Sequence, residues 1–233
     1  MDIKKVIVTG GTRGIGRAVS ELFAANGYTV IAVYRSDESA AKSLQSDNII
    51  PFCCDITDKS ELKKLIEAHS DACVLVNNAG VALRLPFDAV SDEQAREIYM
   101  TDLYGTVEAS RLLLPHLLHR KDGVIINVSS IWGRDGASCE VDYSTAKAAV
   151  IGFTKALAKE VGPSGIRVNC VCPGIVDTDM NGDLSYSDIV DFTDGIPLER
   201  MAEASEIARS IYFLASAEAS YITGAVLDVN GGL

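Results

Sequence analysis

Short β-branched runs alternate with longer amphipathic stretches along the whole chain, and no other feature limits the fold as strongly. Strands are expected over 6–9, 29–34, 49–54, 72–77, 124–129, 167–171 and 226–229. Helical spacing of apolar residues marks 15–26, 60–69, 91–119, 143–160 and 203–216. A strand followed by a helix and another strand implies a parallel sheet with helices on both faces. The expected class is therefore α/β, a single doubly wound domain over residues 1–233 with about seven mainly parallel strands. In such sheets ligands bind beyond the carboxyl ends of the strands. Most of the chemically interesting residues fall there.

Local signals support the helices. Asp58-Lys59-Ser60-Glu61 and Ser91-Asp92-Glu93-Gln94 fit the capping box. Gly27 stands where a helix ends in a left-handed residue. Pro115 is expected to kink or end the fourth helix. No linker, repeat or low-complexity stretch interrupts the pattern.

Composition excludes several functions. With 48% hydrophobic and 23% charged residues, the chain is not a disordered one. Its net charge of −11 disfavours nucleic acid, whose binding depends on cations that neutralise phosphate. No apolar run reaches the roughly 18 residues of a membrane span. Met1-Asp2-Ile3-Lys4-Lys5 runs directly into Val6-Ile7-Val8, so no signal peptide and a cytoplasmic location are expected. The six cysteines, Cys53, Cys54, Cys73, Cys139, Cys170 and Cys172, form no C-x-x-C pair and have no histidine at ligand spacing. They read as reduced thiols, and no metal site is expected.

Thr9-Gly10-Gly11-Thr12-Arg13-Gly14-Ile15-Gly16 follows the first strand and opens the first helix. Glycines there allow a tight turn and the close approach of a pyrophosphate to helix N–H groups, as in a Rossmann-type domain. The spacing is wider than G-x-G-x-x-G, and a glycine turn without ligand is the plainer alternative. The second strand ends at Tyr34-Arg35-Ser36 without the acid that usually holds an NAD ribose, and Asp37 comes late. Arg13 and Arg35 instead offer two guanidiniums. Charge-assisted bonds to a 2′-phosphate, at about 1.5–3 kcal/mol each, would favour NADPH by roughly two to four orders of magnitude. Two solvated surface arginines are the alternative.

Tyr143 and Lys147 stand at i and i+4 at the start of a helix and so share a face. A phenol with a pKa of about 10 is a poor acid–base group near neutrality. An ammonium at ~4 Å, at an effective dielectric of ~20, would lower it by up to ~3 units. Ser130, at the end of a strand, could hydrogen-bond a carbonyl oxygen beside the Tyr143 hydroxyl.

Together these residues resemble the short-chain dehydrogenase/reductase family over nearly the whole chain. The glycine turn, with Gly10, Thr12, Arg13, Gly14, Ile15 and Gly16, is similar to the family's Thr-Gly-x-x-x-Gly-x-Gly. The resemblance implies an adenine contact at Asp55 and Ile56, and an Asn-Asn-Ala-Gly segment, Asn77 to Gly80, beside the cofactor through Asn78, Ala79 and Gly80. It implies a catalytic Ser130, Tyr143 and Lys147, the last also holding the nicotinamide ribose. Pro173, Gly174, Val176 and Thr178 would meet the nicotinamide carboxamide. The tail, from Phe213 through Tyr221-Ile222-Thr223-Gly224 to Asn230-Gly231-Gly232, is similar to that of the family's 3-oxoacyl-[acyl-carrier-protein] reductases, and to many alcohol, sugar and steroid dehydrogenases.

The implied function is NADPH-dependent reduction of a ketone, foremost a 3-oxoacyl thioester of fatty acid biosynthesis, by a cytoplasmic homotetramer, with acyl carrier protein as a candidate partner. A dehydrogenase of another alcohol, sugar or steroid is the alternative with the same fold. A non-catalytic NADP(H)-binding sensor is the alternative of another class. Two departures from the family stand out. The family's tetrad has Asn where this chain has Asp102, in Asp102-Leu103-Tyr104-Gly105. Asp loses the amide donors and adds a charge expected to raise the pKa of Lys147. Ser164 stands where the resembling enzymes often carry Arg, which leaves Arg120 and Lys121 as basic candidates for an acidic partner. Residues 180–197 are expected to form a lid, with Tyr186, Ile189, Val190 and Phe192 either lining an acyl channel or anchoring the loop. Trp132 either walls the site or simply packs. Cys139 reads as a passive thiol, and His116 and His119 as surface residues.

Overall fold

A computed structural model of the chain describes residues 4–182 and 193–233. The seven-stranded sheet has the order β3-β2-β1-β4-β5-β6-β9. Its strands are β1 (Lys5–Thr9), β2 (Thr29–Tyr34), β3 (Ile49–Cys53), β4 (Val74–Asn77), β5 (Gly123–Val128), β6 (Ile166–Pro173) and β9 (Val226–Val229). Every pairing in it is parallel. A separate two-stranded ladder joins β7 (Val176–Asp177) to β8 (Ala202–Glu203). The helices are α1 (Gly14–Ala25), α2 (Glu38–Leu44), α3 (Lys59–Ala68), α4 (Asp92–Ile98), α5 (Thr106–Arg120), α6 (Trp132–Asp135), α7 (Val141–Val161) and α8 (Ala204–Ala215).

Alternation along the strands divides the core into two layers. Val6, Val8, Val30, Val74, Val76 and Ile126 face α1 and α8, meeting Val19, Phe23, Ile207 and Ile211. Ile7, Ile31, Leu75, Ile125 and Val168 face the other way, toward Leu62, Leu65, Leu113, Leu117 and Val161 of α3, α5 and α7. Both faces are covered, so β4 and β5 are buried at every position. Strands buried on both sides need the near-continuous apolar runs seen in the sequence. The strand order reverses between β1 and β4, so a crevice opens there at the carboxyl ends.

The stretch expected as one helix over 91–119 is three pieces. After α4 comes a π-helical turn, Tyr99–Gly105, and only then α5. The break therefore falls around Asp102, and Pro115 lies inside α5 without ending it. Leu113 and Leu117, fully buried on either side of Pro115, hold the helix against the sheet through that point. The Ser91 capping box forms as expected, with Gln94. Asp58 caps α3 from one side only, because Glu61 reaches instead to the backbone N–H of Asp55 at 2.7 Å. Gly27 has φ of +82°, the left-handed end expected of α1. Helix α2 was not expected. It is short and polar, and Asp37 starts it by accepting the Ala40 N–H.

Candidate active site

The glycine turn lies between β1 and α1 at the crevice. Arg13 precedes α1 and gives it no side-chain cap, so the first-turn N–H groups face the crevice without a side-chain partner. Gly16 lies against the turn so closely that a Cβ would stand 2.0 Å from the Gly10 carbonyl oxygen. Gly10 itself has φ of +61°, which favours glycine.

The end of β4 is fastened to this turn. Thr9 Oγ1 accepts the N–H groups of Asn78 at 3.0 Å and Ala79 at 3.1 Å. Asn78 Nδ2 donates to the carbonyls of Thr9 at 3.0 Å and Gly10 at 3.2 Å. Below it, Asn77 donates to Ser110 and Asn127, and Asn127 donates to Thr154, a polar chain through the buried centre. Replacing Thr9 with Val removes the shared acceptor and keeps the shape. We expect a loss of about 1–2 kcal/mol, since the two N–H donors are half-buried at the cleft and a fully buried donor left unsatisfied costs about 1–3 kcal/mol. Urea unfolding checks this as a lower midpoint at unchanged slope.

A cleft of about 430 Å³ runs along the carboxyl ends of the strands. Gly10, Thr12, Arg13, Gly14 and Ile15 line it at the turn, and Arg35, Asp55 and Ile56 line it at the ends of β2 and β3. Asn78, Ala79 and Gly80 form its middle. Ser130, Tyr143 and Lys147 line its far end; Pro173, Gly174, Val176 and Thr178 line it as well, with Thr178 lying against Gly14 of the turn. Gly16 and Asp102 lie behind this wall. The structure thus brings the expected site residues to one place. Trp132 also lines the cleft, and so do Arg84 and Glu140, which the sequence reading missed. Arg84 Nε donates to Glu140 Oε1 at 2.8 Å across 56 residues of sequence.

Tyr143 sits in the first turn of α7 with 9% of its surface exposed, and Lys147 is only 3% exposed. Ser130 Oγ accepts the Trp132 N–H at 3.1 Å, which leaves the hydroxyl proton for Tyr143 or a ligand. The Lys147 ammonium stands 5.6 Å from the centre of the Tyr143 ring, 3.0 Å from Asp102 Oδ1 and 3.1 Å from the carbonyl oxygen of Val128. Burial raises the Tyr143 phenol above its ordinary pKa; Lys147 and a hydrogen bond from Ser130 pull it down, and Asp102 pushes it up. The result is upward, against the lowering expected from the Tyr–Lys pair alone. Burial pulls the Lys147 ammonium down, but Asp102 and Tyr143 outweigh it and the pKa rises, as expected from an Asp at this position.

The two arginines expected at a 2′-phosphate are each faced by an acid. Arg13 lies 3.7 Å from Asp37, and Arg35 lies 3.3 Å from Glu97 of α4. Both arginine side chains are more than half exposed. Asp37 also lines the cleft, and its place as the cap of α2 was the signal that could have drawn attention to it. Glu97 carries no such local signal.

Asp55 Oδ1 accepts the N–H and hydroxyl of Thr57 at 2.9 and 2.8 Å, which fixes the turn after β3. Arg120 and Lys121 lie just before β5, and Ser164 just before β6, at the end of the sheet opposite the cleft. They are therefore not at its entrance, because α5 runs back antiparallel to the strands. Tyr186, Ile189, Val190 and Phe192 lie outside the described residues. Cys139 is exposed with φ of +62°, and no metal-ligating cluster occurs among the described residues. No described helix is long and apolar enough to cross a membrane.

Known proteins resemble the chain over nearly its whole length. A family model described as enoyl-(acyl carrier protein) reductase matches residues 10–233. The uncharacterized oxidoreductase YmfI of Bacillus subtilis is 40% identical over 242 residues, covering 98% of each chain. The 3-oxoacyl-[acyl-carrier-protein] reductase FabG of Haemophilus influenzae is 38% identical over 239 residues, covering 100% of this chain and 99% of that one. The crystal structure of 3-oxoacyl-[acyl-carrier protein] reductase from Brucella melitensis has a TM-score of 0.93 at 30% identity, covering 99% of this chain and 91% of that one.

Proposed function

The chain belongs to the short-chain dehydrogenase/reductase family, and from that premise we propose that it reduces the ketone of a 3-oxoacyl thioester to a secondary alcohol with NADPH. The observation that carries the reading is a single cleft with an uncapped glycine turn at one end and Ser130, Tyr143 and Lys147 at the other. The likeness to 3-oxoacyl-[acyl-carrier-protein] reductases supports the substrate class.

The residues present fit a dinucleotide. The first-turn N–H groups of α1 would take its pyrophosphate, since helix N-termini favour anions. Asp55 and Ile56 would border the adenine, Asn78, Ala79 and Gly80 the centre, and Pro173, Gly174, Val176 and Thr178 the nicotinamide. When bound, NADPH supplies the hydride that the carbonyl carbon accepts. Ser130 and Tyr143 hold the carbonyl oxygen by hydrogen bonds. As the carbon–oxygen π pair moves onto oxygen, Tyr143 gives up its phenol proton to it. The Lys147 ammonium favours the phenolate left behind and would hold the ribose.

Arg13 and Arg35 would bind the 2′-phosphate by exchanging Asp37 and Glu97 for it. That exchange reduces the gain, so we expect NADPH to be preferred over NADH by about ten- to a hundredfold, below the sequence expectation. Arg35→Ala should raise KM for NADPH roughly tenfold and leave KM for NADH nearly unchanged. Steady-state kinetics with both nucleotides checks this.

The assay is oxidation of NADPH and of NADH with acetoacetyl-CoA at neutral pH. Turnover with NADPH supports the reading. A ladder of 3-oxoacyl thioesters against cyclic ketones then distinguishes a thioester reductase from a dehydrogenase of another alcohol, sugar or steroid. Tight NADPH binding without turnover of any ketone would contradict the reading and favour a sensor. A homotetramer, a cytoplasmic location and acyl carrier protein as the donor of the thioester belong to the same proposal.

A further inference from the structure

Asp102 stands behind the catalytic end of the cleft, and the proton transfer outlined above does not use it. We propose that Asp102 is a positioning residue that sets the pH range in which this site works: by pairing with Lys147 it keeps Tyr143 as the phenol, the form that gives a proton to a carbonyl being reduced. The proposal rests on the reading of Tyr143 as proton donor.

The Asp102 carboxylate has two partners; burial raises its own pKa, and Lys147 and the Val81 N–H work against that rise and favour the charged form. Asp102 has no exposed surface, and it sits on the π-helical turn between α4 and α5. Its Oδ2 accepts the Val81 N–H at 2.9 Å. Its Oδ1 faces Lys147 Nζ at 3.0 Å. Gly80 makes room for this: a Cβ there would stand 2.6 Å from Asp102 Oδ1. A π turn often marks a functional site, since it re-aims one side chain at the cost of regular bonding. Here it aims a carboxylate at the lysine.

The consequence is electrostatic. An unpaired Lys147 ammonium beside Tyr143 would favour the phenolate. With Asp102 Oδ1 3.0 Å from the Lys147 ammonium, part of that pull is offset, although the ammonium still lies over the Tyr143 ring at 5.6 Å from its centre. The other groups around Tyr143 do not replace this effect. Glu140 also disfavours the phenolate, but it is paired with Arg84. Ser130 hydrogen-bonds the phenol and bears no charge. Asp142, one residue away, accepts the Tyr99 hydroxyl at 2.9 Å. The Cys170 thiol lies behind Lys147 and is held neutral by its hydrogen bonding with Cys172 and by burial.

The sign follows from the two directions of the reaction. Reduction needs the phenol, so its rate falls as pH rises through the pKa of Tyr143. Oxidation of the alcohol needs the phenolate as base, so its rate rises through the same pKa. A residue that holds this pKa up moves both limbs to higher pH together, while the ratio of the two directions at any one pH stays fixed by the equilibrium.

The test uses Asp102→Asn, nearly the same shape without charge, and Asp102→Ser as a second neutral variant should the first fold poorly. Rates are measured against pH with acetoacetyl-CoA and NADPH, and in reverse with 3-hydroxybutyryl-CoA and NADP. Both variants should move the alkaline limb of reduction, and the pH at which oxidation levels off, down together by about one pH unit. Independently of any substrate, ultraviolet phenolate titration, with Tyr143→Phe subtracted, should show the Tyr143 band at lower pH in the variants. Limbs and bands that coincide with the wild type, or a uniform loss of rate with no limb moved, would overturn the proposal. If no form turns over a ketone, the reductase reading fails, and the phenolate titration alone decides the role of Asp102.

Discussion

Tyr143→Phe is expected to lower turnover by roughly 10²–10⁴ while NADPH affinity stays nearly unchanged. The ring is buried against Trp132 and Ile98, in a small cluster that Phe would fill equally well. Only the hydroxyl is lost, and with it the proton donor. The hydroxyl fastens no backbone group that would be left without a partner, since its hydrogen bonding is with Ser130. A rate loss at unchanged affinity separates a chemical role from a binding role. Fluorescence titration of NADPH beside steady-state rates checks both halves. Near-wild-type turnover would remove Tyr143 from the chemistry altogether.

Gly16→Ala should damage the other end of the cleft as severely. Its Cβ would fall 2.0 Å from the Gly10 oxygen and 2.6 Å from Asn78 Nδ2. The Gly10 oxygen is backbone, and Asn78 is already committed to two carbonyls of the turn. Neither can swing aside as the end of a flexible side chain could. The turn must open, which costs about 1–3 kcal/mol as overpacking does elsewhere. For a chain of this size that corresponds to a Tm lower by about 2–12 °C. Opening the turn also shifts the α1 N–H groups that would hold the pyrophosphate. Losing one bond to a charged group, about 1.5–3 kcal/mol, weakens NADPH binding by about ten- to 150-fold. Thermal unfolding with and without NADPH reads both effects.

These two residues illustrate how much of the molecule was legible in the sequence. The glycine turn, Tyr143 with Lys147, and Ser130 are local patterns, each set by spacing of a few residues at the end of an element. All the large strands were legible as well, because a strand buried on both faces must be an apolar run, as 74–77 and 123–128 are. The π turn was not. Apolar residues continue through 99–105 at near-helical spacing, and an extra residue in one turn leaves no gap in that pattern. Pro115 carried a strong local signal for a break, yet the packing of Leu113 and Leu117 decided otherwise.

The charge pairs were hidden for a different reason. Arg35 meets Glu97 across 62 residues, and Arg84 meets Glu140 across 56. No periodicity predicts such a meeting. The effect on Tyr143 follows the same logic. Considered as a pair on one helix, Lys147 lowers the phenol. Burial and Asp102 reverse the sign, and both depend on how distant elements close over the site.

The central claim is that this cleft moves a hydride from nicotinamide to a ketone while Tyr143 supplies the proton. It is tested most directly with NADPH carrying deuterium at the transferable position of its ring, acetoacetyl-CoA as substrate, and mass spectrometry of the product. The account predicts 3-hydroxybutyryl-CoA with one deuterium on the carbon that was the ketone, formed by the wild type and nearly absent with Tyr143→Phe. Acetoacetyl-CoA recovered unchanged beside tightly bound NADPH, or equal product from the Tyr143 variant, would contradict it.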